Sequence, residues 1–125
     1  MGQGTIRGTI LAESLRPGTV LEGHGLQVIR WSRYEVPDAA AYQAPVWTAV
    51  DFEAPAENAA ALAGDLAASL LSPGWYVNWS SEAETTVVFP DRVFRYRRGD
   101  QAARQAAQEH GRRCGVPEPQ LDWTD

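Results

Sequence analysis

The sequence predicts an α+β fold in which two helices cover one face of a mostly antiparallel sheet. Short β-prone segments come in two groups of three, each group is followed by one amphipathic helical segment, and turns rich in glycine or proline separate them. Both helices need an apolar partner, and one sheet face can supply it. The predicted architecture is therefore a two-layer sandwich with the element order βββ-α-βββ-α.

The first three strands are predicted from β-branched and aromatic residues that lie between turn signals. The first strand covers Thr5–Leu15 and ends at a Pro-Gly turn, and the second covers Leu26–Val36. The third strand, Val46–Glu53, alternates cleanly between apolar and other residues, which is typical of a strand whose two faces differ.

Two helices complete the predicted order. The first covers Pro55–Leu71, because three leucines four residues apart form an apolar ridge, and Ser72-Pro73-Gly74 ends it. The second helix begins near Asp100, a favourable N-cap residue, and ends before Gly115.

The strands between the helices can be aligned by their turns. A turn centred on Pro90 and Asp91 pairs the fifth strand with the sixth. A three-residue loop, Ser81–Ala83, is expected between the fourth and fifth strands, because it brings Trp75 and Trp79 to the same face as the other aromatic residues. A four-residue loop would place the two tryptophans on the other face.

With the shorter loop, the sheet face opposite the helices is free. The candidate binding residues on that face are Tyr76, Asn78, Arg95 and Arg97. A sheet face that carries no helix must be solvated, covered by the N-terminal segment, or used for binding. The sequence therefore predicts a binding or interaction module that works through this face. A protein partner or self-association as a homodimer fits this hypothesis.

Charge and composition narrow the functional classes. The formal net charge is −5, and the chain contains arginine but no lysine. The lack of lysine excludes Schiff-base and P-loop chemistry, and the acidic balance argues against nucleic-acid binding. No apolar run approaches the roughly 20 residues that span a bilayer, so no membrane partner is expected.

The same features predict the compartment. Met1–Thr5 has neither the charged nor the apolar part of a secretory signal. One cysteine cannot form an internal disulfide. We therefore expect a soluble cytoplasmic protein, folded as a single domain over residues 1–125 and working without a cofactor.

Several stretches resemble a family of small, uncharacterised bacterial proteins. They are Gly74–Tyr76, Phe89–Phe94 and the close Gly115–Trp123 (GVPEPQLDW), preceded in order by strands at Ile10–Ser14 and Trp47–Glu53. The family has no established activity. The resemblance implies a bacterial, cytoplasmic protein and assigns no site residue.

Two residue pairs raise the alternative of a small enzyme with a shallow pocket. Asp51 and Glu53 share a strand face, and paired carboxylates can do acid–base chemistry when burial separates their pKa values. His110 and Cys114 lie four apart on a helix, a spacing that suits a nucleophile pair or, with His24, a metal site. A solvated strand face and a packed helix stripe explain these pairs more simply. We therefore assign no catalytic or metal-ligating residue and do not favour an enzyme.

A second alternative is binding of a small anionic or phosphate ligand. Its candidate residues form the densest basic cluster of the chain, namely Arg92, Arg95, Arg97 and Arg98. Guanidinium groups fit carboxylates and phosphates well, although cross-strand pairing, for instance of Arg97 with Glu84, explains the cluster more simply. The sequence assigns no role to Trp31, Trp47 and Trp123.

Overall fold

The computed structural model describes residues 4–123, which form one six-stranded sheet and two α-helices. The elements in chain order are β1 (Thr5–Leu11), β2 (Gln27–Glu35), β3 (Val46–Pro55), α1 (Ala59–Ser69), β4 (Val77–Ser80), β5 (Glu84–Phe89), β6 (Arg92–Arg97) and α2 (Gln101–Arg113). The predicted α+β class and the order βββ-α-βββ-α are confirmed.

The strands lie in the order β2-β3-β1-β4-β5-β6, and every neighbouring pair is antiparallel. Strands β3 and β4 both flank β1 and therefore run parallel to each other. Helix α1 makes the crossover between them, as a parallel connection requires. Strands β2 and β6 are the two edges of the sheet.

The sheet carries one helix on each face. The α1 face is the side on which α1 packs, and its buried cluster includes Ile6, Ile10, Phe52, Leu62, Leu66, Trp75, Val77, Trp79 and Val88. The α2 face is the opposite side, and its buried cluster includes Val87, Phe89, Tyr96, Ala107, Val116, Leu121 and Trp123. The prediction that both helices lie on one face and leave the other free is therefore wrong.

Strand β5 explains why both faces are covered. Neighbouring residues of a strand point to opposite faces, and Val87 and Val88 are both fully buried, one in each cluster. Burial is continuous from Thr85 to Phe89. Such an uninterrupted apolar strand is the pattern expected when elements cover both sides of a sheet.

The loop between β4 and β5 is one residue longer than predicted. Four residues separate Ser80 and Thr85, which pair with each other. A slip of one residue moves every side chain of a strand to the other face. Trp75 and Trp79 are therefore buried on the α1 face, whereas Phe94 packs on the α2 face.

The predicted turn between β5 and β6 and the predicted ends of α2 are confirmed. Pro90 and Asp91 form a two-residue turn between β5 and β6, and Asp91 adopts a φ of 62°. The side chain of Asp100 accepts a hydrogen bond from the backbone N–H of Ala103 at 3.0 Å, as an N-cap does. Gly115, with a φ of 82°, follows the end of α2.

Candidate functional site

A pocket opens on the α2 face where strands β1 to β4 meet the segment that follows α2. Its volume is about 430 Å³, within the range of small-molecule sites. The residues that line this α2-face pocket are Thr9, Leu11, Tyr34, Val36, Asp38, Trp47, Gly74, Trp75, Tyr76, Asn78, Pro119, Gln120 and Asp122.

The floor of the pocket consists of side chains that point the same way from adjacent strands. Thr9 and Asn78 are direct cross-strand partners on β1 and β4, and Tyr34 and Trp47 are direct partners on β2 and β3. The rings of Tyr34 and Trp47 meet edge to face with centroids 6.4 Å apart, and Trp75 packs against Trp47 at 5.2 Å. Trp47 and Trp75 are also members of the buried α1-face cluster, so these two rings contact both that core and the pocket. The floor is thus aromatic at one end and polar at the other.

Hydrogen bonds tie the far wall of the pocket to the rest of the chain. The hydroxyl of Tyr76 donates to the carbonyl oxygen of Gln120. Gln43 is only 6% exposed, and its Nε2 donates to the carbonyl oxygen of Gly74 at 2.9 Å and to Oε1 of Gln120 at 3.0 Å. These contacts fix the position of the pocket wall.

The charged side chains that line the pocket are acidic, although the nearby charge of Arg104 also acts on the lining residue Tyr76. Asp38 and Asp122 supply carboxylates, and within the described residues no arginine or histidine lines the pocket. Burial raises the pKa of Tyr76, and the charge of Asp122 raises it further. Burial also raises the pKa of Tyr34, with the charges of Asp51 and Glu13 adding to the effect. Both tyrosines therefore remain protonated and act as hydrogen-bonding groups and not as bases.

The four predicted binding residues do not come together. Tyr76 and Asn78 line the α2-face pocket. Arg95 pairs across the strands with Thr86 and points to the α1 face, and Arg97 lies two residues further on the same strand face. The single binding face predicted from the shorter loop is therefore wrong, and only its Tyr76–Asn78 half belongs to the pocket.

The arginine cluster is largely engaged within the chain. The guanidinium of Arg92 lies 4.5 Å from the ring centroid of Phe94. Arg95 Nε donates to Oε1 of Glu84 at 2.7 Å, as the cross-strand explanation of the cluster expects. Binding of an anionic ligand through this cluster stays a prediction.

Asp51 and Glu53 have separate partners on β1. Thr9 Oγ1 donates to Oδ1 of Asp51 at 2.6 Å, and Arg7 Nε donates to Oε2 of Glu53 at 3.0 Å. Neither carboxylate lines the pocket. The catalytic alternative for this pair stays a hypothesis.

His110 and Cys114 lie on the α2 face, whereas His24 does not. His24 Nε2 lies 2.6 Å from Oδ2 of Asp65 on α1, so the third ligand of the considered metal site is on the other side of the sheet. Burial raises the pKa of the Cys114 thiol, which disfavours the thiolate that a nucleophile needs. In the described part of the chain, no three His, Cys, Asp or Glu side chains group as metal ligands would.

Most of the pocket was not predicted from the sequence. Tyr34, Trp47, Asp38 and Asp122 were not assigned to any site, because they belong to elements that only the strand order brings together. One signal was available, since three tryptophans had no assigned place. Trp47 lines the pocket, Trp123 is buried beside α2, and Trp31 is exposed.

Comparison with protein-family models, with curated proteins and with solved structures finds no match to this chain. Within residues 4–123, neither helix combines the length and the apolar character needed to cross a membrane.

Proposed function

We propose that the protein is a small binding module whose α2-face pocket holds an organic cation, that is, an ammonium or guanidinium group on an apolar body. The observation that carries this proposal is the composition of the pocket: aromatic rings and two carboxylates line it, with no basic side chain among the described lining residues. A cytoplasmic location in a bacterium is part of the proposal, supported by the sequence resemblance and by the single cysteine.

Aromatic rings and carboxylates favour a cation for different physical reasons. The face of an aromatic ring carries negative potential, and a cation near it gains about 0.5–2 kcal/mol. Asp38 and Asp122 add a longer-range attraction that a neutral ligand does not feel. Asn78 offers an amide group that can orient a ligand by hydrogen bonds. The proposal therefore agrees with the binding module predicted from the sequence. It differs from the anionic-ligand alternative, because the proposed ligand is positively charged.

Three ligands of similar shape and different charge test the proposal. They are 2-phenylethylamine, 2-phenylethanol and phenylacetate, titrated by calorimetry and by tryptophan fluorescence, because Trp47 and Trp75 line the pocket. We expect the amine to bind about tenfold more tightly than the alcohol, the ratio that corresponds to about 1.4 kcal/mol, and phenylacetate to bind most weakly. Equal or tighter binding of phenylacetate, or binding of none of the three, would refute the proposal.

A matched pair of variants locates the binding. Asp122→Asn removes a carboxylate from the pocket. It should lower the affinity for 2-phenylethylamine several-fold and leave the affinity for 2-phenylethanol unchanged. Asp91→Asn makes the same charge change at the turn between β5 and β6, outside the pocket, and should leave both affinities unchanged. Equal effects of the two substitutions would show that net charge, and not the pocket, attracts the amine.

A further inference from the structure

Strand β2 is an edge of the sheet and exposes apolar side chains on both of its faces. Trp31 is 67% exposed, Val28 51%, and Ile29 and Tyr34 45% each. Its only strand neighbour among the described residues is β3, so its outer backbone groups have no strand to pair with. An edge of this kind, with nine residues and no proline, is a template for pairing with another chain.

The opposite edge of the sheet lacks this character. Strand β6 has six residues, and three of them are arginines, Arg92, Arg95 and Arg97. Charged side chains on an edge strand hinder edge-to-edge association. Strand β2 also carries charges, at Arg30, Arg33 and Glu35, but it is longer than β6 and exposes four large apolar side chains where β6 exposes one. It is therefore the edge that is more open to pairing.

We propose that β2 pairs antiparallel with β2 of a second copy of this chain about a two-fold axis, joining the two sheets into one. The proposal does not rest on the identity of the pocket ligand, although Tyr34 belongs to both β2 and the lining of the α2-face pocket. A second copy fits because the strand is complementary to itself, and the register follows from where its charges lie.

Two-fold pairing places one residue of β2 opposite itself. The regular part of the strand begins after the bulge between Val28 and Arg30. An axis through Arg30 or Arg33 would set like charges directly opposite each other, which is destabilising. An axis through Ser32 avoids this conflict and uses the five residues Arg30–Tyr34 symmetrically.

The Ser32-centred register matches each arginine with an aromatic ring. Trp31 then lies opposite the partner's Arg33 on the α1 face, and Tyr34 lies opposite the partner's Arg30 on the α2 face. Such cation–π pairs form twice each by symmetry and are favourable. Arg33 Nη1 also donates to Thr48 Oγ1 at 2.7 Å, but 62% of the Arg33 side chain stays exposed for the contact. An axis through Trp31 also avoids like charges but sets Arg30 opposite the partner's Ser32, so that the pairing of arginine with an aromatic ring is lost.

The mass of the protein in solution tests the surface. Light scattering after size exclusion should give twice 13.7 kDa for the wild-type chain. Trp31→Glu should give the monomer mass with an unchanged circular dichroism spectrum. Val20→Glu changes a residue that is as exposed, at 70%, but lies outside the sheet, and it should leave the dimer intact. A wild-type monomer at the highest concentration, or a dimer that Trp31→Glu does not dissociate, would overturn the proposal.

Disulfide trapping tests the register. Opposite residues of an antiparallel pair have Cα atoms about 4.5–5.5 Å apart, within the distance that a disulfide spans. In a Cys114→Ser background, Ser32→Cys should cross-link the two copies on oxidation, whereas Glu35→Cys, which lies opposite Ile29 of the partner subunit, should not. No cross-linking of Ser32→Cys, or equal cross-linking of both variants, would rule out the Ser32-centred pairing.

Discussion

His110 shows how burial sets the chemistry of a single side chain. Its ring packs against Phe89 and Phe94 with centroids 5.0 and 5.3 Å away, and its Nε2 is buried without a hydrogen-bond partner among the described residues. Burial, together with the charges of Arg92 and Arg113, lowers its pKa. The imidazole is therefore a neutral packing group on α2 at pH 7, which fits the structural explanation of the His110–Cys114 pair better than a catalytic one.

The lowered pKa of His110 predicts a loss of stability on acidification. The unfolded chain takes up the proton near the ordinary pKa of about 6.5, whereas the folded chain takes it up only at lower pH. Folding therefore becomes less favourable as the pH falls through 6.5 and below. Urea midpoints measured between pH 7.5 and pH 5 should fall less for His110→Gln than for the wild type. Parallel declines in the two proteins would contradict the assignment.

At the scale of elements, each helix has one glycine in its interior, and their surroundings differ. A Cβ at Gly64 of α1 would meet nothing within 4 Å. A Cβ at Gly111 of α2 would lie 2.6 Å from Cδ2 of Leu121 and 3.2 Å from Cε1 of Phe89. Gly111 is thus required for the close approach of α2 to the segment behind it, whereas Gly64 is not required by packing.

Alanine substitutions at these two glycines should have opposite effects. Gly64→Ala should raise the free energy of unfolding by about 0.5–1 kcal/mol, because alanine restricts the unfolded chain and favours the helix. Gly111→Ala should lower it by about 1–3 kcal/mol, the usual cost of overpacking a core. Urea denaturation of both variants measures the difference. A gain in stability from Gly111→Ala would show that α2 and Leu121 separate easily.

Helices, turns and caps could be predicted from the sequence because their signals are local. The side of the sheet on which each residue lies could not. The cap at Asp100, the turn at Pro90 and the leucine ridge of α1 depend on neighbouring residues, and all three are confirmed. The assignment of faces depended on one loop, where the preference for grouping all aromatic residues selected the shorter length. That preference failed because β5 is covered on both sides, so two separate clusters bury the aromatic residues. The run Val87-Val88-Phe89 was the local signal for this double coverage.

At the scale of the whole molecule, two cores lie on either side of one sheet, and the segment after α2 closes the second. Val116, Leu121 and Trp123 belong to that core. Trp123 is 4% exposed, and its Nε1 donates to the hydroxyl of Tyr96 at 2.8 Å. The same segment supplies Gln120 to the wall of the pocket. Long-range pairing thus builds both the core and the site, which is why the pocket could not be predicted from local patterns.

Trp123 should therefore be the residue that couples stability to binding. Trp123→Ala should lower the free energy of unfolding by about 3–5 kcal/mol, as large aromatic truncations in a core do. It should also lower the affinity for 2-phenylethylamine, because the pocket wall becomes less firmly held. Trp31→Ala, an exposed residue of the same type, should change the stability of the monomer by less than about 0.5 kcal/mol. Urea denaturation of dilute samples, with amide exchange, measures both. If Trp123→Ala unfolds like the wild type, or if amides of β1–β3 lose protection before those of α2, the second core does not depend on this segment.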